Sequence, residues 1–235
     1  MQVRLLALIL LVFGIAIPAQ AQESANTTLA LLVDSSGSMR ATFGTGTRLA
    51  AAKQALTALA DQLPATANVS LWAYGHRTPR TDPTQSCQDI EQLVGAPPDA
   101  LTALPQVVKR LTAGGYTPIA GALDQLAKGV LPGQRNIAIV ISDGEDTCGG
   151  DPCAVAAQLA ASEVDLQVNV IGLSVDAKAA AQLQCIADVS GGTYANVDSP
   201  DALLSALTAA TGIGTGTIML VDPQGRRLEW LGFSA

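Results

Sequence analysis

Leu29-Ala30-Leu31-Leu32-Val33-Asp34-Ser35-Ser36-Gly37-Ser38 decides how this chain is read. A continuous apolar run over Thr28–Val33 reads as a buried parallel strand, because only a strand covered on both faces loses its polar alternation. The run ends directly on an Asp-x-Ser-x-Ser pattern, Asp34, Ser36 and Ser38. A second apolar run, Ile137-Ala138-Ile139-Val140-Ile141, leads to Ser142-Asp143, and Thr117 lies in Gly114-Gly115-Tyr116-Thr117-Pro118. Each group falls in a loop at or near the end of an expected strand, or at the start of a helix. Hydroxyl and carboxylate oxygens are hard ligands, which suit Mg²⁺ or Mn²⁺ and not zinc. Such a set leaves room in the ion's field for an acidic group from a partner. Ser36 and Ser38 also have a purely local reading, as caps of the turn before a helix.

Outward from these runs, strands and helices alternate. Leu49, Ala52, Leu56, Leu59 and Leu63 recur at helical spacing, so residues 47–63 form a helix that Pro64 ends. Val69, Leu71 and Ala73 alternate within a strand. Residues 88–94 read as a short antiparallel edge strand, and 99–111 as a helix kinked or broken at Pro105. Ile119, Leu123, Leu126 and Val130 mark one face of the next helix, with Pro118 in its first turn and Gly133 at its exit. Strand 136–141, helix 152–162, strand 166–173, helix 177–189, strand 193–197 and helix 200–210 follow. This order predicts an α/β fold: a doubly wound, mostly parallel open sheet with helices on both faces. In such sheets ligands bind outside the carboxyl ends of the strands, where Asp34, Ser36, Ser38, Thr117 and Asp143 converge.

These residues resemble a von Willebrand factor type A domain with an intact metal-ion-dependent adhesion site. The resemblance covers residues 26–211. The phrases Tyr74-Gly75-His76-Arg77, Ser142-Asp143-Gly144-Glu145-Asp146-Thr147-Cys148 and Cys185-Ile186-Ala187 bring it nearest to bacterial exported members of the family. The resemblance implies Ser36, Ser38 and Thr117 as direct or near-direct ligands of Mg²⁺, with Mn²⁺ or Ca²⁺ as alternatives. It implies Asp34 and Asp143 as ligands, directly or through water. It implies a protein partner whose Asp or Glu carboxylate completes the coordination.

The termini suggest processing. Arg4, an apolar core from Leu5 to Ile17, and Ala19-Gln20-Ala21 form a secretory signal over residues 1–21. Its apolar stretch is short for a membrane span, which needs about 20 residues, and the expectation is cleavage. Residues 22–25 form the leader of the mature chain, which would hold 214 residues. Residues 212–235 form a Gly-rich joint and a β-hairpin over Thr217–Val221 and Arg227–Leu231. The expected location is therefore the periplasm or the extracellular space. The whole chain carries a formal net charge of −7, and no basic cluster is visible in the sequence. That argues against nucleic acid, whose phosphates need clustered Lys and Arg.

Four cysteines, Cys87, Cys148, Cys153 and Cys185, follow the signal. An even count in an oxidising compartment predicts two disulfides. Three pairings exist; the short Gly149-Gly150-Asp151-Pro152 connection favours Cys148–Cys153, which leaves Cys87–Cys185. Zinc is disfavoured, since no Cys-x-x-Cys pair exists and His76 is the sole histidine. Glu145, Asp146 and Asp151 read as an acidic loop, with a second cation as the alternative. His76 reads equally as part of a binding rim and as a polar anchor of its loop.

The function these readings favour is an exported, metal-dependent, adhesion-type protein-binding module, not an enzyme. A second reading is a structural component of an envelope assembly whose metal site only stabilises the fold. A metal-dependent hydrolase ranks third, because Glu145 is the one obvious general base and no nucleophile elbow or phosphate-binding glycine motif is present.

Overall fold

The computed structural model describes residues 27–95, 100–130, 133–162 and 166–212. The expected signal segment and C-terminal hairpin lie outside the described residues. Among these residues the strands are β1 (Thr27–Asp34), β2 (Thr42–Phe43), β3 (Gly46–Thr47), β4 (Asn68–Tyr74), β5 (Ile90–Val94), β6 (Arg135–Ser142), β7 (Leu166–Leu173) and β8 (Tyr194–Val197). The α-helices among them are α1 (Arg48–Gln62), α2 (Pro83–Ser86), α3 (Ala100–Arg110), α4 (Ile119–Ala127), α5 (Pro152–Ala160), α6 (Ala177–Val189) and α7 (Pro200–Ala210). A single 3₁₀ turn covers Gly37–Arg40.

Six strands form one sheet in the order β5-β4-β1-β6-β7-β8. All neighbours are parallel except β5, which runs antiparallel to β4 at the edge. The sheet is buried on both sides. Leu29, Leu31, Val33, Val69, Leu71, Ile137, Ile139 and Ile141 pack toward α1, α3 and α7. Ala30, Leu32, Trp72, Tyr74, Ala138, Val140, Val168 and Val170 pack toward α4, α5 and α6. The doubly wound architecture expected from the continuous apolar runs is the one observed.

Local sequence explains the element boundaries. Thr47 caps α1, its hydroxyl accepting from the Ala50 amide at 3.1 Å. Leu63 leaves the helix in extended conformation, as the residue before Pro64 must. Asp151-Pro152, Asp176 and Ser199-Pro200 start α5, α6 and α7, each with a side chain accepting from a first-turn amide. The helix α3 continues through Pro105, so the break that the sequence allowed there is not observed. Pro105 is the sixth residue of the described helix, so it removes the amide that would otherwise donate to the Leu101 carbonyl.

Chain order places the switch point. From β1 the chain moves through α1, on one face, to β4; it later returns to β6 on the other side of β1. The loops leaving β1 and β6 therefore part toward opposite faces, since α1 covers one and α5 the other. The crevice between them is where open α/β sheets place ligands. Asp34 ends β1 and Asp143 directly follows β6, its hydrogen-bonded neighbour.

The disulfides correct the expected pairing. Cys87 is joined to Cys148 and Cys153 to Cys185. Asp146 folds the intervening loop: its Oδ1 accepts from the amides of Cys148 at 2.8 Å and Gly150 at 3.1 Å. Pro152 then begins α5, so Cys153 belongs to a helix packed on α6, where Cys185 lies. Cys148 instead meets Cys87 at the end of α2. Short sequence spacing misled because a helix start separates the two cysteines. Peptide mapping of the unreduced protein is expected to recover Cys87–Cys148 and Cys153–Cys185. Replacing either pair by serine is expected to lower unfolding free energy in urea by about 4 kcal/mol in the chain-entropy account; an unchanged midpoint for both would contradict it.

Candidate functional site

The carboxylate of Asp34 is fully buried at the top of β1. Its Oδ1 accepts from the Ser36 amide at 2.7 Å, and its Oδ2 accepts from the Ser142 hydroxyl at 2.7 Å. Tyr74, at the end of β4, in turn donates its hydroxyl to Ser142 Oγ at 3.2 Å. Burial, and the second carboxylate of Asp143, push the Asp34 carboxyl up to about 6, against the lowering effect of its serine hydrogen bonds. Burial and the facing Asp34 charge push the Tyr74 hydroxyl up, so it stays protonated and can only donate in this chain.

A second hydrogen-bond chain crosses the crevice. The Ser38 hydroxyl donates to Asp143 Oδ1 at 2.7 Å, and Ser36 Oγ lies 2.9 Å from Ser38 Oγ. Since the Ser38 proton is directed at Asp143, Ser36 is the donor of the pair. Asp34, Ser36, Ser38 and Asp143 are thus brought together on the sheet edge. The 35–37 segment is held there by backbone bonds: Ser35 N donates to Tyr74 O at 2.9 Å, Gly114 N to Ser35 O at 3.0 Å, and Gly37 N to Gly115 O at 2.9 Å. Gly115 admits this approach because a Cβ there would lie 2.6 Å from Gly75 Cα.

Thr117 lies two residues beyond the bridge between Ser36 and Gly115. It is buried, and its backbone is fixed by Thr147. Its amide donates to Thr147 Oγ1 at 2.8 Å, and its carbonyl accepts from Thr147 N at 2.9 Å. Among the described residues its hydroxyl has no protein hydrogen bond, and it makes none to the other four candidates. Cys148, next to Thr147, carries the disulfide to Cys87, so a covalent tie anchors the segment that positions Thr117.

Arg48 is the main feature that sequence reading missed. It follows the β2–β3 hairpin as the first residue of α1, and its Nη1 donates to Asp143 Oδ2 at 2.7 Å. Its Nη2 donates to Ser174 O at 3.1 Å, and Ser174 holds a left-handed backbone with φ 50°. The position carries no motif; only its place at a helix start beside the expected strand edge would have suggested it. Asp143 is therefore shared between a hydroxyl on Oδ1 and a guanidinium on Oδ2.

The other candidates have protein partners. Glu145 pairs with Lys178 at 2.7 Å. Asp146 organises its own loop and accepts from the Ala120 amide at 3.0 Å in the first turn of α4. Asp151 caps α5. Among the described residues no group of three or more His, Cys, Asp and Glu side chains is placed to hold a metal. His76 is an anchor, with Nε2 3.1 Å from Glu91 Oε2 and its carbonyl accepting from Thr112 Oγ1 at 2.9 Å. The set whose chemistry suits a hard divalent ion is the mixed one: two buried carboxylates, Asp34 and Asp143, linked through the Ser36 amide and the Ser36 and Ser38 hydroxyls, with Thr117 in the adjoining loop.

This fold and the motif placement assign the class. The chain belongs to the von Willebrand factor type A domain family, whose profile matches residues 29–145. It is 34% identical over 198 residues to the uncharacterized protein YwmD of Bacillus subtilis, a match covering 82% of this chain and 88% of that one. It is similar to the crystal structure of the conserved hypothetical protein BatB from Bacteroides thetaiotaomicron, with TM-score 0.63, 20% identity, and 79% of this chain and 97% of that one covered. It also resembles proximal thread matrix protein 1 from the mussel byssus, described with a zinc-occupied MIDAS motif, with TM-score 0.59, 15% identity, and 80% and 46% covered. At those identities the structural likenesses establish the fold. A divalent metal at this edge is consistent with the family.

Two outcomes follow from the site's charge. Arg48→Met removes the one cation facing Asp143, so the protein in EDTA is expected to melt several degrees lower, while the upward shift on adding Mn²⁺ becomes larger than in wild type. A smaller shift would contradict the role given to Arg48. The second concerns pH. Because the folded Asp34 carboxyl is raised to about 6 from an ordinary value of 3.8, the folded protein binds more protons than the unfolded one between those values. Its contribution to stability without metal therefore grows as pH falls through 6 and declines as pH rises. Protons and metal compete for this carboxylate, so the Mg²⁺-induced rise in melting temperature is expected to shrink from pH 7.5 to pH 5. A rise of constant size across that range would contradict it.

Proposed function

We propose that this chain is an exported, metal-dependent protein-binding module. Asp34, Ser36, Ser38, Thr117 and Asp143 would hold Mg²⁺, or Mn²⁺ or Ca²⁺ in its place, and a partner's Asp or Glu carboxylate would complete the shell. The observation that carries this reading is the buried Asp34 carboxylate linked across the crevice to Asp143, with Arg48 as the only cation paired to either among the described residues. A buried carboxylate without a full counter-charge is costly, and a divalent ion at this edge offsets that cost. When bound, the ion supplies a position that a further hard oxygen ligand can take.

The protein's own residues do the rest. Ser142 and the Ser36 amide orient Asp34 from behind. Arg48 and Ser38 orient Asp143 from opposite sides. Thr147 fixes the backbone of Thr117. Two disulfides favour an oxidising compartment, in keeping with export, and among the described residues no helix is long and apolar enough to cross a membrane. The hydrolase reading loses ground because Glu145, its base, is ion-paired to Lys178. The role is read as non-enzymatic.

Mg²⁺ or Mn²⁺ is expected to raise the melting temperature by mass action on the folded state, and Asp34→Ala to abolish the rise. Thr117→Ala and Asp143→Asn are expected to reduce metal-dependent capture of a partner from envelope extracts at least tenfold, with melting in EDTA little changed for Thr117→Ala and lowered for Asp143→Asn, which breaks the Arg48 pair. If both variants capture as well as wild type, the metal edge is not the binding surface. The alternative of a structural component whose metal only stabilises the fold then takes its place.

A further inference from the structure

We infer that the metal edge carries an arginine rim, Arg40 and Arg80, that recognises a second acidic side chain on the same partner segment. The inference rests on the metal-dependent reading for the first carboxylate but on separate residues for the second.

Both arginines are tethered to one loop through their Nε atoms. Arg40 Nε donates to Ala113 O at 2.7 Å, and Arg80 Nε donates to Gly115 O at 3.2 Å. This loop is the one that pairs with Ser36 and Gly37. Arg80 also lies over the Tyr116 ring, 4.9 Å from its centre, a stacking that suits guanidinium. A Cβ built on Gly37 would lie 3.7 Å from Arg80 Cδ and Nε, and one on Gly114 would lie 3.4 Å from Arg40 Nη2. The two guanidiniums therefore flank the segment that carries Ser36 and Ser38, Arg40 from two residues beyond Ser38 and Arg80 from beside Gly37.

Their Nη groups remain available. Among the described residues neither arginine forms an ion pair, and both are exposed. This holds in a chain with 20 acidic and 13 basic residues. The nearby carboxylates are engaged elsewhere: Asp82 caps α2 through the Gln85 amide, and Asp89 accepts from Arg77 Nε and from the amides of Arg77 and Thr78. On the far side of the crevice Glu145 and Asp176 present acidic groups, the former paired with Lys178 and the latter capping α6. Among the described residues the basic groups of this edge that lack an ion-pair partner lie on the Arg40–Arg80 side, since Arg48 and Lys178 are paired with Asp143 and Glu145, and this asymmetry would orient a bound segment. A guanidinium held by Nε keeps its outer nitrogens free for two parallel bonds to one carboxylate, and little side-chain entropy is then lost on binding. The partner class is an acidic protein segment with at least two carboxylates, one for the metal and one for the rim.

The test uses the mature chain and fluorescence anisotropy with two labelled peptides, hexaglutamate and a Gly-Ser hexapeptide bearing one Glu, each in Mn²⁺ and in EDTA. In Mn²⁺, hexaglutamate is expected to bind at least tenfold more tightly than the one-Glu peptide. Arg40→Gln with Arg80→Gln is expected to abolish that preference while leaving the one-Glu affinity and the Mn²⁺ melting shift unchanged. Arg40→Lys with Arg80→Lys, which keeps charge but not the fork, is expected to be intermediate. Arg110→Gln with Arg135→Gln, an equal charge change elsewhere, is expected to have no effect. Equal hexaglutamate binding by wild type and the Gln variant overturns the rim, as does no binding of hexaglutamate to wild type or an equal loss in the Arg110/Arg135 control. Arginine-dependent hexaglutamate binding that persists unchanged in EDTA supports the rim and overturns the metal-dependent reading instead.

Discussion

A carboxylate fully removed from water at the end of the central strand sets the terms for everything around it. Asp34 cannot be a bare charge there without support, and its surroundings supply support in layers. Behind it, Tyr74 and Ser142 direct a chain of hydroxyl protons at one oxygen, and the Ser36 amide covers the other. In front, the serines carry the hydrogen-bonding on to Asp143, where Arg48 is the one cation paired to it among the described residues. Burial still wins over these bonds and holds the Asp34 carboxyl up to about 6. The site is thus organised yet undercompensated in positive charge, which is the electrostatic condition for taking up a cation.

The fold makes that condition sustainable. Asp34 and Asp143 come from neighbouring parallel strands whose outgoing loops part toward opposite faces of the sheet. Two core layers brace the strands, so the carboxylates are set on packed strand ends. The loops are braced by other means. Backbone bonds tie 35–37 to 113–115, Thr147 holds Thr117, and Cys87–Cys148 ties Thr147's neighbour to the end of α2. A strand end braced by two core layers and loops restrained by backbone bonds and a disulfide together fix the geometry of this edge.

Much of this was legible in the sequence, for identifiable reasons. The runs that became β1 and β6 are continuous and apolar, and a doubly covered parallel sheet is the fold that explains them. Pro152 and Pro200 marked helix starts, because proline suits the first turn of a helix. Asp34, Ser36, Ser38 and Asp143 were brought to one edge because each sits at a strand end. Other features depend on contacts between distant segments. The β2–β3 hairpin has strands of two residues, too short for periodicity to show. Arg48 acquires its role only when that hairpin delivers it beside Asp143. The cysteine pairing failed because sequence separation says nothing of a helix start between Cys148 and Cys153. The acidic residues after Asp143 looked free in sequence, yet amides and Lys178 engage them in the folded chain.

The central claim is that Asp34, Ser36, Ser38, Thr117 and Asp143 form one divalent-cation site. Anomalous diffraction from crystals of the mature protein grown with Mn²⁺ tests it most directly. The account predicts a manganese peak at the edge between the Ser36–Ser38 turn, Thr117 and Asp143. A manganese peak confined to the Glu145–Asp151 loop, or none at the edge under saturating Mn²⁺ at neutral pH, would contradict it.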